Sequence, residues 1–456
     1  MNDTSSAETS ETPTDGLPAP RRFLAVVSIS LGTVLTTVDG TIANVALPTL
    51  ARDLHVRPSE TVLVVTVYQV VLMMTLLPFS ALSRRLGYRA TYQLGQATFV
   101  FATIFCFLAR SLTVLVVARG LQALGAAMIL SVSSALIRAV YPLARLGRGL
   151  SFNTAIAASS AAVAPTAGGA ILAFASWPWL FAIVVPFGVF SLLIGRNVLP
   201  EGTKRNEPYD FVGAAMCAAT MGLAVSGLQS VVSGDAPAST ATLLALCGVV
   251  GWVFVRRELR QPAPVFPIDL LRNKAIALPC VGSLAAYMGM MMLTVSFPFR
   301  LQQHYGFTPA AAGAVLAPLP LVSMIVAPTA GLLSDRYPAG ILGAIGMAIG
   351  VVGMLCLAYL PEAPHHIDIL WRVTVCGLGF GMFFSPNSRQ IMGATPHARM
   401  AAAGALFTTI RGAGQTFGAT VVAALLAAGV GLTGVPPLIG AGLALIAGVC
   451  SVALLR

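Results

Sequence analysis

Fourteen apolar runs, each long enough to cross a bilayer, follow one another along this chain with only short polar breaks between them. They fall near residues 23–48, 60–82, 90–109, 112–137, 149–174, 178–198, 211–233, 239–256, 275–300, 309–333, 339–360, 366–390, 400–428 and 434–455. A hydrocarbon core about 30 Å thick is spanned by roughly 20 helical residues, and backbone in lipid must satisfy its own hydrogen bonds. Charged residues make up 9% of the 456, against roughly 25% in soluble domains, so no water-facing surface of this size can be clothed. That shortage excludes a soluble enzyme, a disordered scaffold and a nucleic-acid binder together. The expected fold is all-α: a polytopic membrane protein with fourteen transmembrane helices.

The formal net charge of +11 matters here through its placement. Of the 27 basic residues, 20 fall in segments on the side of the N-terminus, four on the opposite side and three inside spans. Basic residues favour the cytoplasmic face, so both termini are expected in the cytoplasm of a bacterial inner membrane. Residues 1–20 carry Ser, Thr, Pro and four acids without an apolar run and read as a disordered tail. Arg21 and Arg22 precede a first run that lacks a small-residue cleavage site, so that helix is expected to be retained. The seven cysteines all lie in apolar stretches without a C-x-x-C pair, which fits packing rather than a disulfide framework or a zinc site.

An internal repeat organises the spans. SALSRRLG (residues 80–87) follows the second and GLLSDRYP (residues 331–338) follows the tenth. Arg119 opens the fourth span and Arg372 opens the twelfth. The expected domains are therefore a six-helix bundle at 21–198, an inserted helix pair with its loops at 199–260, and a second bundle at 261–456. Repeated halves with a site between them are a transporter architecture.

Asp39 carries the chemistry. It stands 16 residues into the first run, about 24 Å along a helix rising 1.5 Å per residue. A carboxylate at bilayer depth costs about 2.5–3.5 kcal/mol on insertion scales, so its presence asks for a role. Arg119 lies at similar depth and is its natural partner. Proton uptake at Asp39 would then require a conformation that separates the pair. As the lone embedded anion, Asp39 favours a lipophilic cation as cargo, exchanged against a proton. Arg372 and Arg411 have no embedded acid in their own half; backbone carbonyls, Gln415 or Asn387 are the expected partners. Pro165 can bend the fifth span, while Gly168 and Gly169 admit close helix approach. Pro318, Pro320 and Pro328 make the tenth span a bent gate. GLGFG (residues 377–381) follows no strand and is not a nucleotide loop. Tyr68, Met73, Met74 and YMGMMM (residues 287–292) offer polarizable surface to a cavity. No embedded His, metal set or catalytic triad supports an enzyme. His365 and His366, near Glu362 and Asp368, read as a solvated loop.

These residues resemble the fourteen-span drug:proton antiporter branch of the major facilitator superfamily over nearly the whole chain after residue 20. VDGTIANVALP (residues 38–48) resembles its first-helix motif, with Asp39, Thr41, Asn44 and Pro48 in place. RGLQALGAA (residues 119–127) is similar to the embedded Arg-x-x-Gln motif carrying Arg119 and Gln122. SAAVAPTAGG (residues 160–169) resembles the antiporter motif, Tyr68 fits the second-helix pattern, and RGAGQTFGA (residues 411–419) fits the thirteenth. The resemblance implies multidrug or quaternary-ammonium efflux, with Asp39, Arg119, Gln122, Tyr68 and Asn44 in coupling and cargo binding. It implies gating by Arg85, Gly87, Arg89, Pro165, Gly168, Gly169, Asp335 and Arg336. Arg84 stands where the loop motif has an acid, Ser80 replaces its leading Gly, Ala164 replaces the Gly before Pro165, and Leu63 replaces a Trp. The first-half loop latch cannot form in its usual way. The partners implied are protons, a small hydrophobic or cationic substrate and lipid, with no nucleic acid, no cofactor and a monomeric chain. An exporter of an endogenous metabolite or siderophore is the alternative on the same fold.

Overall fold

The computed structural model describes residues 16–142, 146–201, 210–233, 236–260, 268–334, 336–395 and 400–453. The expected disordered tail lies outside them up to residue 15, as does Asp335. All regular elements among the described residues are helical. Thirteen helices are long and apolar enough to cross a membrane, and Leu146–Phe174 supplies a fourteenth with a shorter apolar stretch, Ser159–Phe174.

The first span is Ala19–Asp53. The second breaks at Val62 into Pro58–Thr61 and Leu63–Leu86. The third to fifth are Tyr88–Leu108, Leu112–Val140 and Leu146–Phe174. The sixth divides into Trp179–Ala182 and Val185–Val198, and the inserted pair is Phe211–Ser233 and Pro237–Glu258. The ninth, Lys274–Thr294, runs on through Ser296–Phe299 into a wide π-type turn at Arg300–His304. The tenth breaks at Ala317 between Pro309–Leu316 and Pro318–Leu333, because Pro318 and Pro320 cannot donate backbone bonds there. Ala339–Ala358, His366–Gly393, Met400–Ala427 and Val435–Ala453 complete the set.

Local chemistry sets several of these ends. Ser111, Asn273 and Thr308 accept backbone N–H bonds at helix starts, and proline opens others, where the missing N–H costs nothing. Gly87 turns the chain between the second and third spans at φ 88°, a region that side chains with a Cβ avoid. Small residues then set helix spacing. A Cβ on Gly125 would lie 2.6 Å from the Gly95 carbonyl, joining the third and fourth spans; one on Gly379 would lie 2.7 Å from the Gly346 carbonyl, joining the eleventh and twelfth. The GLGFG run is thus a packing surface: Gly377 and Gly381 meet the tenth span and Gly379 the eleventh.

The two halves meet unevenly. At the end away from the termini, residues such as Ile42, Leu47, Ala164 and Phe181 share one apolar core with Met291, Phe299, Ala419 and Val422 of the other half. Toward the termini the core divides into a first-half cluster around Ile29, Tyr92 and Leu136 and a second-half cluster around Ile276, Ile391 and Leu406. The molecule is closed at one end and parted at the other. The seventh span packs on the second, where Gly222 faces Met74, and on the thirteenth; the eighth leans on the seventh and shows Val249 and Trp252 outward.

Candidate functional site

Asp39 and Arg119 sit in the middle of the first half, with 0% and 1% of their side chains exposed. Arg119 Nη1 donates to Asp39 Oδ2 at 2.6 Å and to Gln122 Oε1 at 2.6 Å, while its Nε donates to the Val64 carbonyl at 3.3 Å. Gln122 Nε2 donates to Asp39 Oδ1 at 3.0 Å and to Thr103 Oγ1 at 2.8 Å. One turn of helix places Arg119 and Gln122 on the same face of the fourth span, which is why Arg-x-x-Gln can grip one carboxylate. The guanidinium lies over the Tyr68 ring at 4.2 Å and the Phe181 ring at 5.5 Å. Five spans and their rings therefore enclose a neutral, hydrogen-bonded pair. In low dielectric a lone ion here would be costly, and pairing repays much of that cost.

Asp39, Arg119, Gln122 and Tyr68 are thus brought together, with Arg119 in the place by Asp39 that their matching depths suggested. Asn44 is not part of this group: it lies further along the first span, and its buried Oδ1 has no hydrogen-bond partner among the described residues. Thr103, Cys106 and Phe181 also belong to the site. Cys106 Sγ lies 3.7 Å from Gln122 Oε1, and no sequence signal distinguishes it from the packing cysteines.

The residues that the resemblance assigns to gating separate into two places. Gly168 packs on Ile42 of the first span; a Cβ on Gly169 would lie 2.7 Å from the Pro309 carbonyl, and Gly313 packs on the Pro165 carbonyl. The fifth and tenth spans therefore touch through backbone at the closed end. Gln302 Nε2 donates to the Val45 carbonyl there, at 3.0 Å. At the parted end Arg85 is exposed, and Arg89 donates to the Arg196 carbonyl and lies 3.6 Å from Glu201. Arg336 is exposed, and Arg389 Nη1 donates to Ser334 Oγ at 2.8 Å.

In the second half the expectations hold in part. Of the partners expected for Arg372, it takes a backbone carbonyl, that of Asp368 at 2.5 Å, and not Gln415 or Asn387; it also lies 3.6 Å from the Asp368 carboxylate, one turn back. Asp368, read as part of a solvated loop, stands at the helix start, where its Oδ2 also accepts from the His365 N–H at 3.0 Å. Asn387 instead donates to Pro279 O at 3.0 Å and to Ser283 Oγ at 2.6 Å. Arg411 faces the Tyr287 hydroxyl. Arg300, one of the four basic residues counted on the side opposite the N-terminus, is buried and donates to the Leu357 carbonyl and the Tyr305 hydroxyl, both at 2.9 Å.

The family model of the Major Facilitator Superfamily matches residues 29–419 and 279–456. The chain belongs to the Major Facilitator Superfamily. It is a multi-pass cell-membrane transporter, not an enzyme. It is 42% identical over 414 residues to the uncharacterized transporter YebQ of Escherichia coli K12, covering 90% of this chain and 91% of that one. It is 28% identical to the riboflavin transporter RibZ of Clostridioides difficile (86% and 85% covered) and 27% identical to the multidrug efflux pump LfrA of Mycolicibacterium smegmatis (91% and 83%). Among solved structures, a bacterial homologue of the human lysosomal transporter Spinster matches with TM-score 0.69 at 14% identity (96% and 98% covered). A peptide transporter matches with TM-score 0.71 at 15% (94% and 93%).

Proposed function

We propose that this superfamily member is a proton-coupled exporter of lipophilic small molecules, working by alternating access across the cytoplasmic membrane. The observation that carries the reading is the sealed Asp39–Arg119–Gln122 group. Of the chain's acidic residues, Asp39 alone lies in the interior of the twelve spans outside the inserted pair; Asp53, Glu60 and Asp368 stand at span ends. Protonating Asp39 cancels one charge of the pair and leaves the Arg119 guanidinium buried without its counter-ion, a state costing several kcal/mol. The protein relieves that cost by moving the first span against the fourth, where water can reach the cation. Proton occupancy and the orientation of the halves are coupled in this way.

The basic-residue bias places both termini inside, so the parted end faces the cytoplasm and this is the loading state. The sequence favoured a cation bound directly at Asp39. Arg119 fills that position here, so we assign the proton to Asp39 and the cargo to the walls where the halves part. Relatives named for multidrug efflux support a lipophilic cargo, and the riboflavin transporter supports a planar one. Each chain contains both halves of the pathway, which suits a monomer. The test is transport in proteoliposomes under an imposed pH gradient, with ethidium and a pyrene carboxylate as probes. Asp39→Asn should abolish the dependence on the gradient. Equal gradient-driven transport by the parent and Asp39→Asn would sink the reading.

A further inference from the structure

The charge of the cargo can be read from what the seam between the halves leaves unpaired. From Thr61 to Pro200, from Lys274 to Ser334 and from Ile369 to the C-terminus the sequence has no Asp or Glu. The acid inside the first half, Asp39, is already neutralised by Arg119. Arg411 is different. It is the twelfth residue of the thirteenth span, about 17 Å in at 1.5 Å per residue, and its side chain is exposed. An arginine presented to lipid at that depth is costly, so exposure there means an aqueous opening. Its neighbours agree. The next residue, Gly412, faces Met73 of the first half, and a Cβ on Gly414 would lie 2.8 Å from Tyr287 Cβ on the ninth span.

Beside Arg411 stands a ladder of rings. Tyr287 stacks on Phe384 at 4.3 Å and 19°, and Phe384 lies nearly parallel to Phe380 at 5.9 Å and 16°. The hydroxyl end of this ladder meets the guanidinium, and Phe384 is only half-buried. Arginine's planar fork fits carboxylate, sulfonate or phosphate oxygens, and aromatic faces accept a planar apolar body. We propose that Arg411, Tyr287 and Phe384 form a cargo subsite for an aromatic acid: the anionic group on Arg411 and the ring system along Phe384. This rests on the export reading above and sharpens its cargo class from lipophilic to aromatic and anionic.

The test is equilibrium binding to the full-length protein in nanodiscs, without any pH gradient. The probes are pyrene-1-butyrate and its neutral relative pyrene-1-butanol, read by fluorescence anisotropy. The parent should prefer the carboxylate by about tenfold or more, the range of a charge-assisted hydrogen-bonded pair. Arg411→Gln should remove that preference and leave butanol affinity within about twofold, which also shows that the variant is folded; Arg411→Lys should retain part of it. Equal binding of the two probes by the parent, no binding of the carboxylate, or the same weakening of both probes in Arg411→Gln overturns the proposal. Because no proton gradient enters, a failure of Asp39 coupling in proteoliposomes leaves this result intact, and the reverse also holds.

Discussion

Arg119 and Arg372 occupy matching places in the repeat, each near the start of the fourth span of its half. They live in different worlds. Arg119 is enclosed by the first, second and sixth spans and holds a carboxylate from another helix. Arg372 bonds within its own helix, to an acid that is 37% exposed. The reason is one residue: the first span carries Asp39, whereas the ninth carries no acid at all. Both halves pack helices through glycine, while the buried carboxylate–guanidinium pair lies in one of them. The second half presents aromatic rings instead, and there Arg300 and Arg411 meet hydroxyls and a carbonyl rather than an acid.

That asymmetry can be broken most severely at its buried pair. Arg119→Ala strands Asp39 in low dielectric and should cost about 3–5 kcal/mol, whereas Asp39→Asn with Arg119→Gln together should recover most of it. Thermal unfolding of the purified variants, followed by tryptophan fluorescence, reads both. Equal losses in the single and double variants would mean the pair is not a coupled unit. Packing should respond alike in the two halves. Gly125→Leu and Gly379→Leu each push a side chain into the backbone of a neighbouring span, at a cost of about 1–3 kcal/mol or more. A large loss in one and none in the other would show that the halves do not share their packing.

Smaller effects sharpen the contrast. Arg372→Ala should cost at most about 1 kcal/mol, as exposed pairs do, and should leave gradient-driven transport unchanged. Loss of coupling in that variant would show that the second half also takes part in proton handling. The last prediction concerns the inserted pair. Arg257 holds Asp210 in a fork at 2.6 and 2.8 Å, which keeps that carboxyl below the usual carboxylate range. A group whose folded value is depressed contributes stability above its unfolded value, and that contribution fades as pH falls through the folded value. The stability gap between the parent and Asp210→Asn should therefore be small at neutral pH and vanish in strong acid. A gap that persisted there would assign the loss to packing.

The prolines of the tenth span announced a bend, because a missing backbone donor acts within one or two helical turns, and the matching depths of Asp39 and Arg119 announced that they could meet. Arg300 did not announce its burial, for the opposite reason. It stands at the end of an apolar run, where loops normally begin, but the π-type turn tucks it under the Leu357 carbonyl of the eleventh span. Arg372 shows a subtler difference. Its partner Asp368, four residues away, reads as a loop acid in the sequence but stands in the first turn of the same helix.

The sequence by itself determined the number of helices, the loops that break them and the one span whose interior carries an acid, since lipid enforces apolar length and penalises every exception. Tertiary structure alone decided that Asp39 is sealed rather than open to cargo, that Arg411 stands beside an aromatic ladder, and which end of the molecule is closed. Those outcomes depend on which faces of distant helices meet, and apolar faces in a membrane look alike until they are packed.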